Sequence, residues 1–321
     1  MSKNLKSLSK FSCCSISIVL MSLPLSVYAN SELSANYRES YASAPTSQQN
    51  SNWQVVPHVT GGDVRSIIHV GGAIFVGTSN GVLKSINHSK SWVKSGLQDI
   101  SITALVESNG VIYAGAKYNY ATRSAGIYSS SDSGKTWHII GLKRHYVYAL
   151  AVSDNKLYAI TIGGVFLYDP NTKIWEKIAE NRGYLSLAVS HGILYAGTSK
   201  GLFKYIIKEK KWEELGLSHS AISTIKINND LLYIGTHNGL YRYIIRTKKW
   251  QPMGLKNRFI NTIHIHNNAI DVGTQTGFFT SNDDGKTWER FNAGLENKEI
   301  AAMLFTQNNN IYVATKASGI F

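Results

Sequence analysis

The sequence predicts an all-β chain that folds as a seven-bladed β-propeller of four-stranded antiparallel blades. Seven tryptophans recur 37 to 45 residues apart between Trp53 and Trp288. The segments between them show short strand-like patterns and no amphipathic stripe of helical period. A repeat of about 40 residues with four short strands is typical of one propeller blade.

The first strand of each repeat carries an aliphatic residue three positions after its start, preceded by a small one that suits the crowded axis. A tight turn such as Gly71-Gly72 follows, and glycines are then expected to open the third strands. In this register Met303 is the one large residue at the small position. First strands are predicted to begin at Val64, Ile102, Val147, Tyr184, Ile222, Ile260 and Ala301, and third strands at Gly81, Gly126, Gly164, Gly201, Gly239, Gly277 and Gly319.

The two ends of the repeat region complement each other. The sequence stops at Phe321, inside the third strand of the seventh repeat, while residues 51–57 around Trp53 read as a fourth strand with no blade of their own. Pairing this N-terminal strand with the last repeat would close the ring and leave no open sheet edge. Residues 51–321 are therefore predicted to form the propeller.

Residues 1–29 read as a signal peptide, with lysines before the apolar stretch Ile16–Leu25 and a small residue, Ala29, at the end. That stretch is shorter than the roughly 20 apolar residues that span a bilayer, and no later segment is long enough. Residues 30–50 are rich in Ser, Ala and Gln and are expected to be a disordered leader. We expect a secreted or periplasmic protein.

Cysteine content and charge limit the chemistry. Both cysteines, Cys13 and Cys14, lie within the signal peptide, so the mature chain would have no disulfide and no thiolate metal site. The formal net charge is +13, which favours anionic partners, although solubility explains it equally well. We predict no metal site, no cofactor and a monomer.

Two segments share the pattern Ser-x-Asp-x-Gly-x-Thr-Trp, namely Ser130–Trp137 and Ser281–Trp288, and Ser85–Trp92 is a degraded copy. In such a turn the Asp accepts backbone hydrogen bonds and the Gly adopts the turn, so a structural role is favoured over a catalytic one. The predicted structural residues are Ser130, Asp132, Gly134, Trp137, Ser281, Asp283, Gly285 and Trp288.

These segments make the chain resemble the Asp-box (BNR) propeller superfamily over about residues 50–321, and its Gly-Thr-x-x-Gly-Leu tracts are similar to YVTN-like sensor-propeller repeats. The superfamily includes sialidase-like, sortilin-like and photosystem II assembly factor-like propellers. The resemblance implies the fold but no single activity, because the superfamily spans hydrolases, receptors and assembly factors.

Ligands of propellers usually meet the face formed by loops that lead into the first strands and loops that join the second and third strands. The second repeat has a joining loop, residues 117–125, about seven residues longer than its counterparts. Basic and aromatic residues on these loops suit an acidic glycan. The predicted ligand-binding residues are Tyr118, Tyr120, Arg123, Arg144, His145, Arg182, Tyr184, His219, His237 and Arg258.

No complete catalytic set is visible. The Arg-Ile-Pro motif of sialidases is absent, and xyloglucanases need a second propeller. A polysaccharide lyase with a His-centred site stays open, although His145, His219 and His237 lack tight ligand spacing. Asp271 replaces the aromatic residue at the centre of the second strand, and we expect it to pair with His264 or His266.

The favoured reading is an exported, non-catalytic binding or scaffold propeller, with no catalytic residue assigned. Its basic, aromatic loops would recognise a glycan, an envelope component or a protein, with an acidic glycan or another envelope polyanion as the expected partner. Two alternatives stay open: a metal- or His-dependent polysaccharide lyase or glycoside hydrolase, and an assembly factor for a membrane complex.

Overall fold

A computed structural model describes Val56, Val59 and residues 62–119, 124–180, 183–266, 269–295, 299–306, 310–315 and 319–320. The predicted signal peptide, the predicted leader and most of the predicted strand 51–57 lie outside these residues. No helix among the described residues is long and apolar enough to cross a membrane.

The described strands form consecutive antiparallel sheets, of which six have four strands and are here called blades 1 to 6. Blades 1 to 3 comprise β1 Val64–Val70, β2 Ala73–Thr78, β3 Gly81–Ser85, β4 Val93–Lys94; β5 Ile102–Ser108, β6 Val111–Asn119, β7 Ser124–Ser130, β8 His138–Gly141; β9 Val147–Ser153, β10 Lys156–Thr161, β11 Gly164–Asp169 and β12 Ile174–Ala179. Blades 4 to 6 comprise β13 Tyr184–Ser190, β14 Ile193–Thr198, β15 Gly201–Ile206, β16 Lys211–Gly216; β17 Ile222–Asn228, β18 Leu231–Thr236, β19 Gly239–Ile244, β20 Lys249–Pro252; β21 Ile260–His266, β22 Ala269–Thr274, β23 Gly277–Ser281 and β24 Glu289–Arg290. The last sheet comprises β25 Ile300–Phe305, β26 Ile311–Thr315 and β27 Gly319–Ile320.

The propeller architecture is confirmed, but the prediction of seven four-stranded blades is wrong: the structure shows six such blades, and the last sheet has three strands. The fourth strand of that sheet was expected from residues 51–57, and the described residues do not show that pairing. Val56 and Val59 pack against an apolar cluster that includes Val64 of blade 1 and Leu304 of the last sheet. Closure of the ring by this segment therefore stays a prediction.

The first strand of the last sheet starts one residue earlier than predicted, at Ile300 rather than Ala301. In the observed register Ala302 pairs with Ala314, as Ser66 pairs with Gly77 in blade 1. The small position is therefore filled by Ala302, and the apparent exception at Met303 disappears. Third strands start at the predicted glycines except in blade 2, where the longer loop lets β7 begin at Ser124.

The first strands stand side by side around one axis, and β25 contacts both β21 and β1. Polar side chains near the start of these strands join neighbouring blades: the Thr103 hydroxyl donates to the Val147 carbonyl at 2.8 Å, and the Asn261 amide donates to the Ile300 carbonyl at 2.8 Å. Glycine in the second strand lets the next blade approach, since a Cβ on Gly77 would lie 2.7 Å from the Ile102 side chain.

Four of the repeated tryptophans, Trp137, Trp175, Trp250 and Trp288, join their blade to the one before it. The indole Nε1–H of Trp175 donates to the Ile140 carbonyl at 2.9 Å, and that of Trp250 donates to the Leu215 carbonyl at 2.9 Å. In each case the acceptor lies three residues after the tryptophan of the preceding blade. The indole also covers a glycine, because a Cβ on Gly216 would lie 3.0 Å from Trp250. The period in the sequence thus reflects a contact between blades.

Two faces result from this topology. Loops that enter the first strands lie beside loops that join second and third strands, as the hydrogen bond from the Ile162 N–H to the Tyr146 carbonyl shows. We call this side the loop face. The opposite side carries the hairpins between first and second strands and the turns between third and fourth strands, and we call it the hairpin face.

Candidate functional site

A group of basic and aromatic side chains runs across blades 1 to 3 on the loop face. The Arg65 guanidinium of β1 donates a hydrogen bond to the Ser101 hydroxyl, at the start of blade 2. The Ser101 carbonyl in turn accepts the backbone N–H of Lys117 at 2.8 Å. The Lys117 ammonium lies 5.8 Å from the ring centre of Tyr146 in blade 3. These contacts connect three blades in one continuous surface.

Two tyrosines complete this group. Tyr146 and Tyr148 stack with ring centres 4.6 Å apart, and both are half-buried. Tyr148 is the second residue of its first strand, where blades 2, 5 and 6 carry small polar residues that bond to the next blade. Tyr148 was not among the predicted ligand residues because those lie in loops, although this variable position is visible in the aligned repeats. We call Arg65, Lys117, Tyr146 and Tyr148 the loop-face patch.

The patch carries two positive charges, those of Arg65 and Lys117. Among the residues that the structure describes, neither Arg65 nor Lys117 forms an ion pair with a carboxylate, although both side chains are half-buried. A cation beside aromatic rings in a partly desolvated surface binds anions more strongly than a fully exposed one. The arrangement suits a ligand that combines a carboxylate or phosphate with a planar or ring-shaped surface.

Tyr118 lies beside the patch in β6, whereas Tyr120 and Arg123 of the long loop lie outside the described residues. Arg182 also lies outside them. The structure places Tyr184 elsewhere: its side chain is 1% exposed and stacks on Trp212, so it offers no surface to a ligand. The first position of the first strand points into the contact between blades.

His145, Arg144 and His219 share no hydrogen bond or ring contact with one another in the described part of the chain. The His145 ring packs edge-on against Phe166 with centroids 5.5 Å apart and covers Gly163. Arg144 and His219 are exposed on separate blades. His145 therefore packs between two loops of blade 3 and holds them together.

His237 and Arg258 lie on the blade 5 to blade 6 side of the loop face. The His237 ring stacks on Phe259 at 3.9 Å, and its partial burial lowers the pKa of His237. Arg258 donates to the Thr276 hydroxyl at 2.7 Å and lies 4.6 Å from the ring centre of Phe279. Arg123 and Arg182 lie outside the described residues, so the grouping of the predicted arginines in one site stays a prediction.

An ionisable cluster lies at the hairpin end of blade 6. Asp271 is 2% exposed, and its carboxylate contacts the His266 Nε2 at 2.6 Å, so the predicted histidine partner is His266. Burial raises the pKa of Asp271, while hydrogen bonds from Thr280 and His266 oppose that rise. His264 instead stacks on Phe305 with ring centres 3.7 Å apart.

His264 is held neutral in this cluster. Burial is the main cause that lowers the pKa of His264 to about 3, and the charges of Lys226 and His266 act in the same direction. The corresponding residue of the first strand is Ile68 in blade 1 and Val106 in blade 2. A neutral histidine here packs as those aliphatic residues do. No group of three or more metal-ligating side chains occurs among the described residues.

The two acidic turns lie on the hairpin face, and their hydrogen bonds fit the structural role predicted for them. The Asp283 carboxylate accepts the Thr287 N–H at 2.9 Å, the Thr287 hydroxyl at 2.6 Å and the Ser281 hydroxyl at 2.8 Å. These bonds lower the pKa of Asp283 to about 2. The same bonds surround Asp132 and hold its pKa well below the usual range.

Comparison with known proteins gives the architecture and no family. No family model matches the chain, and no curated protein matches it in sequence. Similar solved structures include the extracellular domain of BT4673 from B. thetaiotaomicron (TM-score 0.70, 17% identity, 82% of this chain and 38% of that chain). Another is that of BT3049 from the same organism (TM-score 0.66, 16% identity, 81% and 40%).

A third similar structure is streptogramin B lyase, with a TM-score of 0.66, 14% identity, and 82% of this chain against 93% of that chain. The shared fold is a β-propeller. At these identities the likeness concerns the fold alone. The chain spans less than half the length of the BT4673 and BT3049 chains that it matches. The Asp-box family stays a resemblance at the level of sequence.

Proposed function

We propose that this protein is a non-catalytic binding propeller that recognises an acidic glycan through the loop-face patch. The observation that carries the proposal is the continuous group of Arg65, Lys117, Tyr146 and Tyr148 across three blades, in which the two cations lack carboxylate partners among the described residues. Tyrosine rings pack against sugar rings, and the cations compensate the carboxylates of such a polymer.

We propose that the protein binds its ligand outside the cytoplasm. The sequence predicts a signal peptide, and two of the similar structures are extracellular domains of proteins named as hybrid two component systems. We further propose that the predicted ligand residues Tyr118, Tyr120 and Arg123 extend the patch along the long loop of blade 2.

Titration calorimetry with oligogalacturonate, an acidic oligosaccharide, tests the proposal directly. Lys117→Ala removes an anchoring charge and should weaken binding about two- to fivefold, the range of a partly exposed ion pair. Tyr148→Ala removes the stacked ring and should weaken binding at least as much. Neutral oligosaccharides of equal length should bind more weakly than the acidic ones.

Lys256→Ala is the matched control, because Lys256 is an exposed lysine on the same face that lies outside the patch. Lys256→Ala lowers the net charge by the same amount as Lys117→Ala. An equal loss of affinity in both variants would indicate diffuse electrostatic attraction and would overturn the loop-face patch as the binding site. Turnover of the oligosaccharide would overturn the non-catalytic part of the proposal. If His145→Ala or His219→Ala then abolished turnover, the His-dependent lyase would replace it.

A further inference from the structure

A second surface with binding character lies on the rim, between blades 1 and 2 on the hairpin side. It is a cleft of about 560 Å³ whose walls include Ile86, Val93 and Lys94 of blade 1 and Ser133 and Lys135 of blade 2. Ile86 is 74% exposed and Val93 is 60% exposed, the former the most exposed large apolar side chain in the described chain. Apolar side chains that flank a concave surface indicate a contact site.

The charge of this cleft differs from that of the corresponding cleft between blades 5 and 6. There, Arg242 of the third strand lies over Tyr233 and forms an ion pair with Asp284 of the next blade. The residue that corresponds to Arg242 in blade 1 is Lys84, which lies 5.2 Å from the ring centre of Phe75. The chain thus repeats the same cation over the same aromatic position.

The acid, however, is missing from the cleft between blades 1 and 2. Ser133 occupies the turn position that Asp284 has in blade 6, and Lys84 donates to the Ser133 carbonyl at 2.8 Å instead. Lys84, Lys94 and Lys135 form no ion pair in the part of the chain that the structure describes. The carboxylate of this turn, Asp132, does not line the cleft.

The turn of blade 1 has also lost its carboxylate while keeping its shape. Asn87 takes the Asp position: its amide oxygen accepts the Ser91 N–H at 3.0 Å, and its amide nitrogen donates to the Ser91 hydroxyl at 2.8 Å. The Ser85 hydroxyl accepts the Ser89 N–H at 3.0 Å, as the Ser281 hydroxyl accepts a glycine N–H in blade 6. The change removes a negative charge and leaves the geometry intact.

We infer that the cleft between blades 1 and 2, here called the rim cleft, binds an acidic peptide segment of a partner protein. Its occupant presents an apolar side chain to Ile86 and Val93 and carboxylates to Lys84, Lys94 and Lys135. This site is independent of the loop-face patch, since it lies on the other side of the propeller. The concave shape favours a protruding peptide over the flat surface of a bilayer.

Fluorescence anisotropy tests this inference with a short labelled peptide that alternates glutamate and leucine. The intact chain should bind it, and Lys135→Glu should weaken binding by about fivefold or more, since one attraction becomes a repulsion. Ile86→Ser should weaken binding to a similar degree, because it removes the apolar contact. A peptide with serine in place of leucine should lose the dependence on Ile86.

Lys286→Glu is the matched control, because Lys286 has the turn position of Lys135 in the acidic cleft between blades 5 and 6. Lys286→Glu has the same net charge as Lys135→Glu and should bind the peptide as the unaltered chain does. Equal weakening of peptide binding by both charge reversals would overturn the rim cleft as the site.

Binding to vesicles of phosphatidylglycerol that depends on Ile86 and Lys135, without peptide binding, would overturn the peptide in favour of a membrane. Tyr148→Ala should leave peptide binding unchanged, which separates this result from that for the loop-face patch.

Discussion

The tryptophan contact between blades makes a prediction whose size follows from the structure. Trp250→Phe removes the indole N–H that the Leu215 carbonyl accepts at 2.9 Å, while it keeps an aromatic ring beside Gly216. The net loss of one hydrogen bond costs about 0.5–1.5 kcal/mol, and an acceptor left unpaired in the blade contact costs about 1–3 kcal/mol. We therefore expect a loss of roughly 1–3 kcal/mol in the free energy of unfolding.

Trp92→Phe provides the informative comparison. The Trp92 Nε1 is buried and has no hydrogen-bond partner in the described chain. In blades 2, 3, 5 and 6 the acceptor lies three residues after the preceding tryptophan. The same rule would give Val56 that role after Trp53, a bond that the described residues do not show. If residues 51–57 close the ring as predicted, Trp92→Phe should cost about as much as Trp250→Phe.

Chemical denaturation followed by circular dichroism measures both variants. For a two-state transition, each change should lower the midpoint without a change in slope. A Trp250→Phe protein as stable as the unaltered chain would refute the role assigned to the indole hydrogen bonds. A Trp92→Phe protein that loses nothing, beside a destabilised Trp250→Phe protein, would refute closure through Val56.

Three further predictions concern the turn, the ionisable cluster and the N-terminus. Asp283→Asn should preserve thermal stability better than Asp283→Ala at neutral pH, because Asn87 makes equivalent bonds in blade 1. Equal melting temperatures for these two variants would contradict that expectation. The stability advantage of the native Asp283 over Asp283→Ala should fade as the pH falls from about 4 through the folded pKa of about 2. The depressed pKa of His264 means that its contribution to stability is present above pH 6.5 and is lost as the pH falls toward about 3, because the unfolded chain takes up the proton first. The loss is at most about 1.4 kcal/mol per pH unit, less because the ring is partly exposed, and a His264→Val protein with an unchanged pH slope would contradict it. Mass spectrometry of the exported chain should find Asn30 as its first residue, and a retained Met1 in that fraction would exclude cleavage there.

Much of the architecture followed from the sequence because the repeat encodes contacts between blades. The period of the tryptophans predicted the sheets, and the small residues of the first strands predicted their register in six of seven cases. The last repeat was misplaced by one residue because its register was aligned on Leu304 as the aliphatic residue, which put Met303 at the small position. The pairing of Ala302 with Ala314 shows that Ala302 holds that position. The count of complete blades failed because it depended on a pairing between distant ends of the chain.

The candidate sites were harder to predict, since they depend on which side of a strand a residue faces. Tyr184 was assigned to the loop face from its place beside a loop, yet it is the first residue of a strand and points into the core. Tyr148 was overlooked although it lies close to Tyr184 in the alignment of repeats. Successive side chains of a strand point to opposite faces of the sheet, so proximity to a loop does not tell whether a residue is buried between blades or faces a ligand.

Departures from the repeat are the positions at which this fold has room for function. Residues that conform to the repeat already have a structural role: the Trp250 indole donates a hydrogen bond to the preceding blade, and the Asp283 carboxylate accepts hydrogen bonds within its turn. A residue that departs from it, such as Tyr148 in the loop-face patch or Asn87 beside the rim cleft, keeps the local geometry and changes only the surface that results. Because each blade is stabilised mainly by its neighbours, such changes cost little stability. Two separate binding surfaces on one propeller are therefore compatible with a single, evenly stabilised scaffold.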